Sequence, residues 1–183
     1  AGKREKCKSF GIDMQMVALP LHQLNVDGGS TPNYMLGSSE KGDREIDLVC
    51  QMVRATADAG IPAIKYFLCE MENQRTEALP LGRGGVKYST WDLSKADSET
   101  PRYNNPLTAE ENWARITHFL ERVIPVAEEN KVRMACHPCD PWLPSGYKGV
   151  DRVLGGADGF KQFIDIHPSP YHGLNLCLGC MAE

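Results

Sequence analysis

The chain contains 183 residues, of which 42% are hydrophobic and 24% are charged, and its formal net charge is -4. Its 20 Lys and Arg residues stand against 24 Asp and Glu residues, so it has no basic excess with which to follow a phosphate backbone, and no nucleic acid is expected as a partner. The longest apolar runs are far shorter than the roughly 20 residues of a membrane-spanning helix, so no membrane partner is expected. We therefore expect one soluble domain over residues 1–183.

Seven cysteines are an odd number, and four of them lie in or beside apolar stretches: Cys136, Cys139, Cys177 and Cys180. This usage favours reduced thiols in a cytoplasmic protein over the disulfide framework of a secreted one. The charged N-terminal residues are not followed by an apolar run, so they do not predict a secretory signal.

The first half of the chain predicts a strand, a helix and a second strand. Residues 12–19 form an apolar run that ends at Pro20, which is typical of a buried strand. Apolar residues then recur every three or four positions as far as Gly60, which predicts an amphipathic helix with Asp43 as its N-cap. Residues 63–68 predict the second strand.

The second half repeats this alternation after a long loop. Residues 69–107 are rich in Gly, Pro, Asn and charge, and a loop of that length is usually functional. Thr108 begins a capping box that predicts a helix, in which Pro125 is expected to produce a kink. The remaining predicted elements are a strand at 132–136, a helix at 157–166 and a strand at 174–177. Strands that alternate with amphipathic helices indicate an α/β fold of parallel βα units.

Reactive side chains follow the last two predicted strands. In parallel βα proteins the loops at the carboxyl ends of the strands converge on one face. His137 and Asp140 follow one strand, and Cys177 ends the next. An imidazole and a thiolate on neighbouring strand ends can share a divalent transition metal. The alternative is a hydrogen-bonded loop histidine and a core cysteine.

Other side chains are candidates for substrate binding, among them Asp140 in the turn after the third predicted strand. His22 follows the first predicted strand, at the same sheet edge, although a surface histidine is an equally good interpretation. Arg83 and Arg75 lie in the long loop, where the guanidinium fork suits carboxylate recognition. An exposed arginine without a ligand is the alternative for both.

A structural zinc site is a competing metal hypothesis. Cys136-x-x-Cys139 and Cys177-x-x-Cys180 are two pairs with the spacing of zinc ligands. In that case the domain would be a non-catalytic interaction module, although each first cysteine also ends an apolar strand.

Three segments together carry a resemblance to a known family. They are WARITHFLERVIPVAEENKVRMACHPCDP at 113–141, GVDRVLGG from Gly149 and SPYHGLNLCLG from Ser169. They closely resemble mannonate dehydratase of the xylose-isomerase-like TIM-barrel group. The resemblance extends more loosely through GIPAIKY at Gly60 and GRGG at Gly82 to about Gly11.

The resemblance implies a lyase of hexuronate (glucuronate) catabolism that removes water from the sugar acid D-mannonate to give 2-keto-3-deoxy-D-gluconate, with Mn(II) or Fe(II). In that family the His of the HPxDP turn and the Cys of the GLxxCxG strand are metal ligands, which correspond to His137 and Cys177. Cys139 stands where the family has a second Asp before the one that matches Asp140. A sugar isomerase or epimerase on the same barrel is the alternative enzyme.

The resemblance also implies that the barrel is partial. A TIM barrel has eight βα units over about 250 residues, whereas about four strands are predicted here. We therefore expect residues 1–183 to be an interior part of such a barrel, without its first strand and its C-terminal strands. The expected partner is a small-molecule sugar acid, and a homo-oligomer is left open.

Overall fold

Four parallel strands form the central sheet of the computed structural model, which describes residues 2–19, 33–36, 38–71, 74–101 and 105–181. The helices in chain order are α1 (Gly2–Ser9), α2 (Glu40–Asp58), α3 (Ala109–Glu129), α4 (Ala157–Ile166) and α5 (Leu178–Met181). The strands are β1 (Val17–Ala18), β2 (Ala63–Phe67), β3 (Glu77–Leu79), β4 (Tyr88–Thr90), β5 (Arg133–His137) and β6 (His172–Leu174). The sheet order is β1-β2-β5-β6 with every neighbouring pair parallel, which confirms the predicted parallel βα units.

Successive residues of β5 point to opposite faces of the sheet. Met134 and Cys136 are 1% and 0% exposed and belong to the buried core shared with the helices. Ala135 and His137 are half-buried. Because side chains alternate along a strand, the sequence that buries Cys136 also directs its neighbour His137 to the other face.

Helix α2 begins one turn earlier than predicted. The Ser39 side-chain oxygen accepts a hydrogen bond from the Gly42 N–H at 3.0 Å, which makes Ser39 the N-cap. Asp43 was therefore the wrong residue for that role. Its Oδ1 instead lies 2.7 Å from both His118 Nε2 and Arg122 Nη1, so the carboxylate joins α2 to α3.

Helix α3 covers the sheet with one apolar face. The predicted capping box is confirmed, since Thr108 and Glu111 each accept a hydrogen bond from the other's backbone N–H. The helix continues through Pro125 to Glu129. Its fully buried apolar residues are Ile116, Phe119, Leu120, Val123, Ile124 and Ala127.

Two strands are shorter than predicted or displaced from the predicted positions. Strand β1 contains only Val17 and Ala18, which pair with Ile64 and Lys65. In this register Gln15, two residues before β1, would oppose Pro62, which has no N–H to donate. Strand β6 lies at 172–174, not at 174–177, because the partner strand β5 ends at His137 and the chain turns away beyond that point.

The long loop contains an antiparallel hairpin, so it is more regular than the sequence indicated. Strand β3 pairs with β4 in the register Glu77 to Thr90. The loop packs on a second, smaller apolar cluster formed by Met71, Leu143, Tyr147 and Val150. No helix in the described parts of the chain combines the length and apolar character that a bilayer crossing requires.

A candidate metal centre at the carboxyl edge of the sheet

His137 is the last residue of β5 and is held in one orientation. It lies opposite Phe67 in the parallel register, and the two ring centres are 5.0 Å apart. Its Nδ1 lies 2.8 Å from the carbonyl oxygen of Pro138. A carbonyl can only accept, so in the neutral ring Nδ1 carries the proton and Nε2 keeps its lone pair. This is the tautomer found in metal-bound histidines, whose second ring nitrogen commonly donates to a carbonyl.

Two cysteines lie beside His137. The Asn175 N–H donates to the Cys136 carbonyl at 2.8 Å, which ties the segment after β6 to the end of β5. Cys177 directly precedes α5, and Cys180 lies within that short helix. One ligand atom each of His137, Cys177 and Cys180 lies within 4.8 Å of the others, and all three residues are half-buried. We call these three residues the His-Cys-Cys cluster.

Hydrogen bonds favour the thiolate form of Cys177. The backbone N–H of Cys180, followed by the Cys180 side chain, lowers the pKa of the Cys177 thiol below its ordinary value, and the Gly179 N–H adds to this. The negative charge of Asp140 acts in the opposite direction. The thiolate is the form of cysteine that binds metals.

The donor set of this cluster fits a transition metal. Thiolate and imidazole together are ligands of Zn and Fe, whereas Mg and Ca prefer oxygen. Among the residues that the structure describes, no other group of three His, Cys, Asp or Glu side chains has its ligand atoms this close together. The carboxyl edge of the sheet therefore has the chemistry of a metal site.

The long loop reaches this edge through an ion pair. Arg75 Nη2 lies 3.1 Å from Asp140 Oδ2, and Arg75 Nη1 donates to the Gln74 carbonyl at 2.6 Å. The side chains of Arg75 and Asp140 are 35% and 23% exposed. The guanidinium is therefore oriented and still accessible from solvent.

A second arginine fixes the same two loops. Arg152 donates to the carbonyl of Pro141 at 3.1 Å and to that of Met71 at 3.0 Å. Arg152 thus ties together the loops that follow β2 and β5.

A buried ion pair just beyond the end of β2 was missed by the sequence analysis. Arg115 of α3 contacts Glu70, and both side chains are 1% exposed. Arg115 also donates to the Leu68 carbonyl at 2.8 Å, just beyond β2. An arginine on the apolar face of an amphipathic helix was the available sequence signal, because a buried cation requires a partner.

The other predicted site residues are not all at the cluster. Arg83 lies in the exposed turn between β3 and β4, and Arg75 is the loop arginine that pairs with Asp140. His22 lies outside the described residues. Asp140 lies near the cluster, close enough for its charge to act on Cys177.

The cysteine predictions need two corrections. Cys139 forms a disulfide with Cys69, with a Cα–Cα distance of 5.7 Å, so it is not a reduced thiol. The two cysteines follow the neighbouring strands β2 and β5 at the same edge, which brings them together. The four-cysteine zinc site is also wrong: Cys139 is in the disulfide, and Cys136 is fully buried in the core.

The sequence of the chain is similar to known enzymes. Residues 93–183 match the family model of D-mannonate dehydratase (UxuA). Over 98% of its length the chain is 32% identical to a mannonate dehydratase of Streptococcus pneumoniae (strain 70585), and over 96% it is 25% identical to one of Streptococcus equi subsp. zooepidemicus (strain MGCS10565). The matches cover 53% and 52% of these relatives, so the chain spans about half of their length.

The fold is similar to that of a solved enzyme. The crystal structure of mannonate dehydratase from Streptococcus suis serotype 2 matches with a TM-score of 0.82 and 22% sequence identity, over 98% of this chain and 50% of that one. This match confirms the predicted α/β fold of parallel TIM-barrel βα units, and four such strands form the sheet of the described residues. By its family model, its relatives and its fold, the chain belongs to the mannonate dehydratase family.

Proposed function

We propose that this chain supplies the metal-binding part of a lyase that removes water from D-mannonate to give 2-keto-3-deoxy-D-gluconate, in hexuronate catabolism. The observation that carries the proposal is the position of His137 and Cys177, which match the ligand motifs of the resemblance and have ligand atoms within 4.8 Å of each other. Membership of the family supports the same reaction.

The proposed ion is Mn(II) or Fe(II), bound by His137 and Cys177. Such an ion would stabilise negative charge on substrate oxygens as a Lewis acid. The hydrogen bond from His137 Nδ1 to Pro138 leaves Nε2 available as a ligand atom. The lowered pKa of Cys177 favours the thiolate, which is the form that binds a metal.

Arg75 is the group that we assign to the substrate carboxylate. Elimination removes the proton from the carbon next to the carboxylate, so negative charge grows on that group as the adjacent hydroxyl leaves. A preorganised cation stabilises this charge. Asp140 holds one side of the guanidinium at 3.1 Å, so its role in substrate binding is to position Arg75.

Substrate turnover in the presence of metal tests the proposed function. The reduced chain is incubated with Mn(II) or Fe(II) and D-mannonate, and formation of the 2-keto-3-deoxy product is followed. We expect His137→Ala to abolish the product, and His167→Ala, a half-buried histidine just beyond α4, to leave it unchanged. Turnover of ketoses or epimerisation without loss of water would contradict the lyase and favour the isomerase alternative.

Two further expectations belong to this proposal. The partner is a small sugar acid, and the state of association, including a homo-oligomer, is to be measured by sedimentation. The cytoplasm is the proposed compartment, because Cys177 and Cys180 must stay reduced to bind a metal.

A further inference from the structure

Cys180 is a member of the His-Cys-Cys cluster, although the family resemblance gives it no role. The resemblance provides one cysteine ligand, Cys177, and it implies no role for Cys180. In the structure the sulfur of Cys180 lies within 4.8 Å of both the Cys177 sulfur and a ring nitrogen of His137. The cluster therefore presents two sulfur donors and one nitrogen donor.

The backbone around Cys177 has the arrangement of a metal-binding turn. The N–H groups of Gly179 and Cys180 form hydrogen bonds to the Cys177 sulfur, and the two cysteines are separated by two residues. Structural metal sites use this Cys-x-x-Cys spacing to direct both sulfurs to one ion.

We propose that Cys180 is a third ligand of the ion bound by His137 and Cys177, and that the sulfur pair selects Fe(II) against Mn(II), with Zn(II) as a borderline ion of the same preference for sulfur. This inference rests on the metal site of the proposed function and narrows its choice of ion. Sulfur ligands suit Zn and Fe, whereas Mn prefers oxygen.

Cobalt absorption spectra count the sulfur ligands directly. Co(II) is titrated into the 183-residue chain with its Cys69–Cys139 disulfide intact and Cys177 and Cys180 as free thiols, and the near-ultraviolet sulfur-to-cobalt charge-transfer band is recorded. We expect Cys180→Ser to lower the band to about half while some binding remains, because one of two sulfurs is lost. Cys177→Ser should behave in the same way. Cys7→Ser is the matched control: this cysteine of α1 is also free and half-buried, and its replacement should leave the band unchanged.

Competition between Zn(II) and Mn(II) tests the selectivity. We expect Cys180→Ser to reduce the ratio of Zn(II) to Mn(II) affinity by about tenfold or more, because sulfur contributes mainly to the Zn(II) complex. Cys180→Ala should give the same ratio as Cys180→Ser, and circular dichroism verifies that both variants are folded. An unchanged band and an unchanged ratio in these folded variants would overturn the proposal.

The test of Cys180 as a ligand and the test of D-mannonate dehydration can fail independently of each other. If D-mannonate is not dehydrated but the band shows two sulfurs, the inference about Cys180 stands and the assigned reaction fails. If neither His137→Ala nor Cys177→Ser changes metal binding, both fail.

Discussion

Two Cys-x-x-Cys pairs with the same spacing have opposite environments in this protein. Cys136 is fully buried, and burial raises the pKa of its thiol to about 12. Cys139 is joined to Cys69. In contrast, Cys177 and Cys180 are half-buried beside His137, and hydrogen bonds lower the pKa of Cys177.

The difference shows that spacing alone does not make a metal site. Cys136 lies inside a strand, where alternation sends its side chain to the core and the next residue, His137, to the opposite face. Cys177 lies beyond a strand, in a turn where the backbone N–H groups of Gly179 and Cys180 hydrogen-bond to its sulfur. The position of each pair relative to the end of its strand decides what the pair can do.

The largest expected effect is the loss of the disulfide. Cys139→Ser should lower the free energy of unfolding by about 4 kcal/mol, because the Cys69 link constrains a long loop in the unfolded chain. Zinc affinity should change little. Denaturant unfolding of oxidised protein measures the effect, and reduction of the wild type serves as the control. Equal stability of the variant and the oxidised wild type would contradict the disulfide.

The next largest expected effect is a loss of Zn(II) affinity when the second pair, Cys177 and Cys180, is changed. Cys177→Ser should weaken Zn(II) binding by more than about 100-fold, since even partners in the second shell contribute 10- to 100-fold. Isothermal titration of the reduced protein measures this affinity. Retention of wild-type affinity would remove Cys177 from the site.

The matching change in the first pair should affect stability and not metal binding. Cys136→Ser places a hydroxyl in the fully buried core, which should cost about 1–3 kcal/mol of unfolding free energy. Cys136→Ala, which buries no polar group, is the control. Thermal unfolding and zinc titration of the same samples provide both quantities, and a loss of zinc affinity in both variants would restore Cys136 as a ligand.

The smallest expected effect lies away from both pairs, between α2 and α3. The hydrogen bond from His118, with a further contribution from Arg122, lowers the pKa of Asp43 below its ordinary value. The carboxylate thus stabilises the fold above the ordinary pKa, and this contribution disappears as the pH falls through the lowered one. Asp43→Asn should cost less than about 1 kcal/mol at neutral pH, because the pair is partly exposed.

Urea unfolding from pH 7 to pH 3 checks the sign of this effect. The difference between the wild type and Asp43→Asn should shrink as the solution becomes acidic. A difference that grows in acid would contradict the role given to Asp43, and zinc affinity should be the same in both proteins.

The sequence predicted those features that depend on local pattern. Apolar periodicity indicated α2 and α3, and the positions of His137 and Cys177 after predicted strands indicated the edge where they meet. The contacts it missed join distant segments: Arg115 with Glu70, and Cys69 with Cys139. The disulfide depends on the register between β2 and β5, which places Phe67 opposite His137, and the ion pair depends on the packing of α3 against the segment after β2. No local pattern specifies either.

The sequence missed the β3–β4 hairpin and the position of β6 for the same reason, because both depend on pairing with another segment. The turn residues around Arg83 indicated a loop, but strand pairing between Glu77 and Thr90 requires knowledge of where the loop folds back. Likewise, β6 is limited by the end of its partner β5 and not by its own apolar residues.

X-ray absorption at the zinc edge of the reduced, zinc-loaded chain tests the central claim most directly, because it identifies the atoms bound to the ion. The account predicts sulfur from Cys177 and Cys180 together with imidazole nitrogen from His137, and about half of the sulfur signal in Cys177→Ser. A coordination shell of oxygen and nitrogen without sulfur would contradict it.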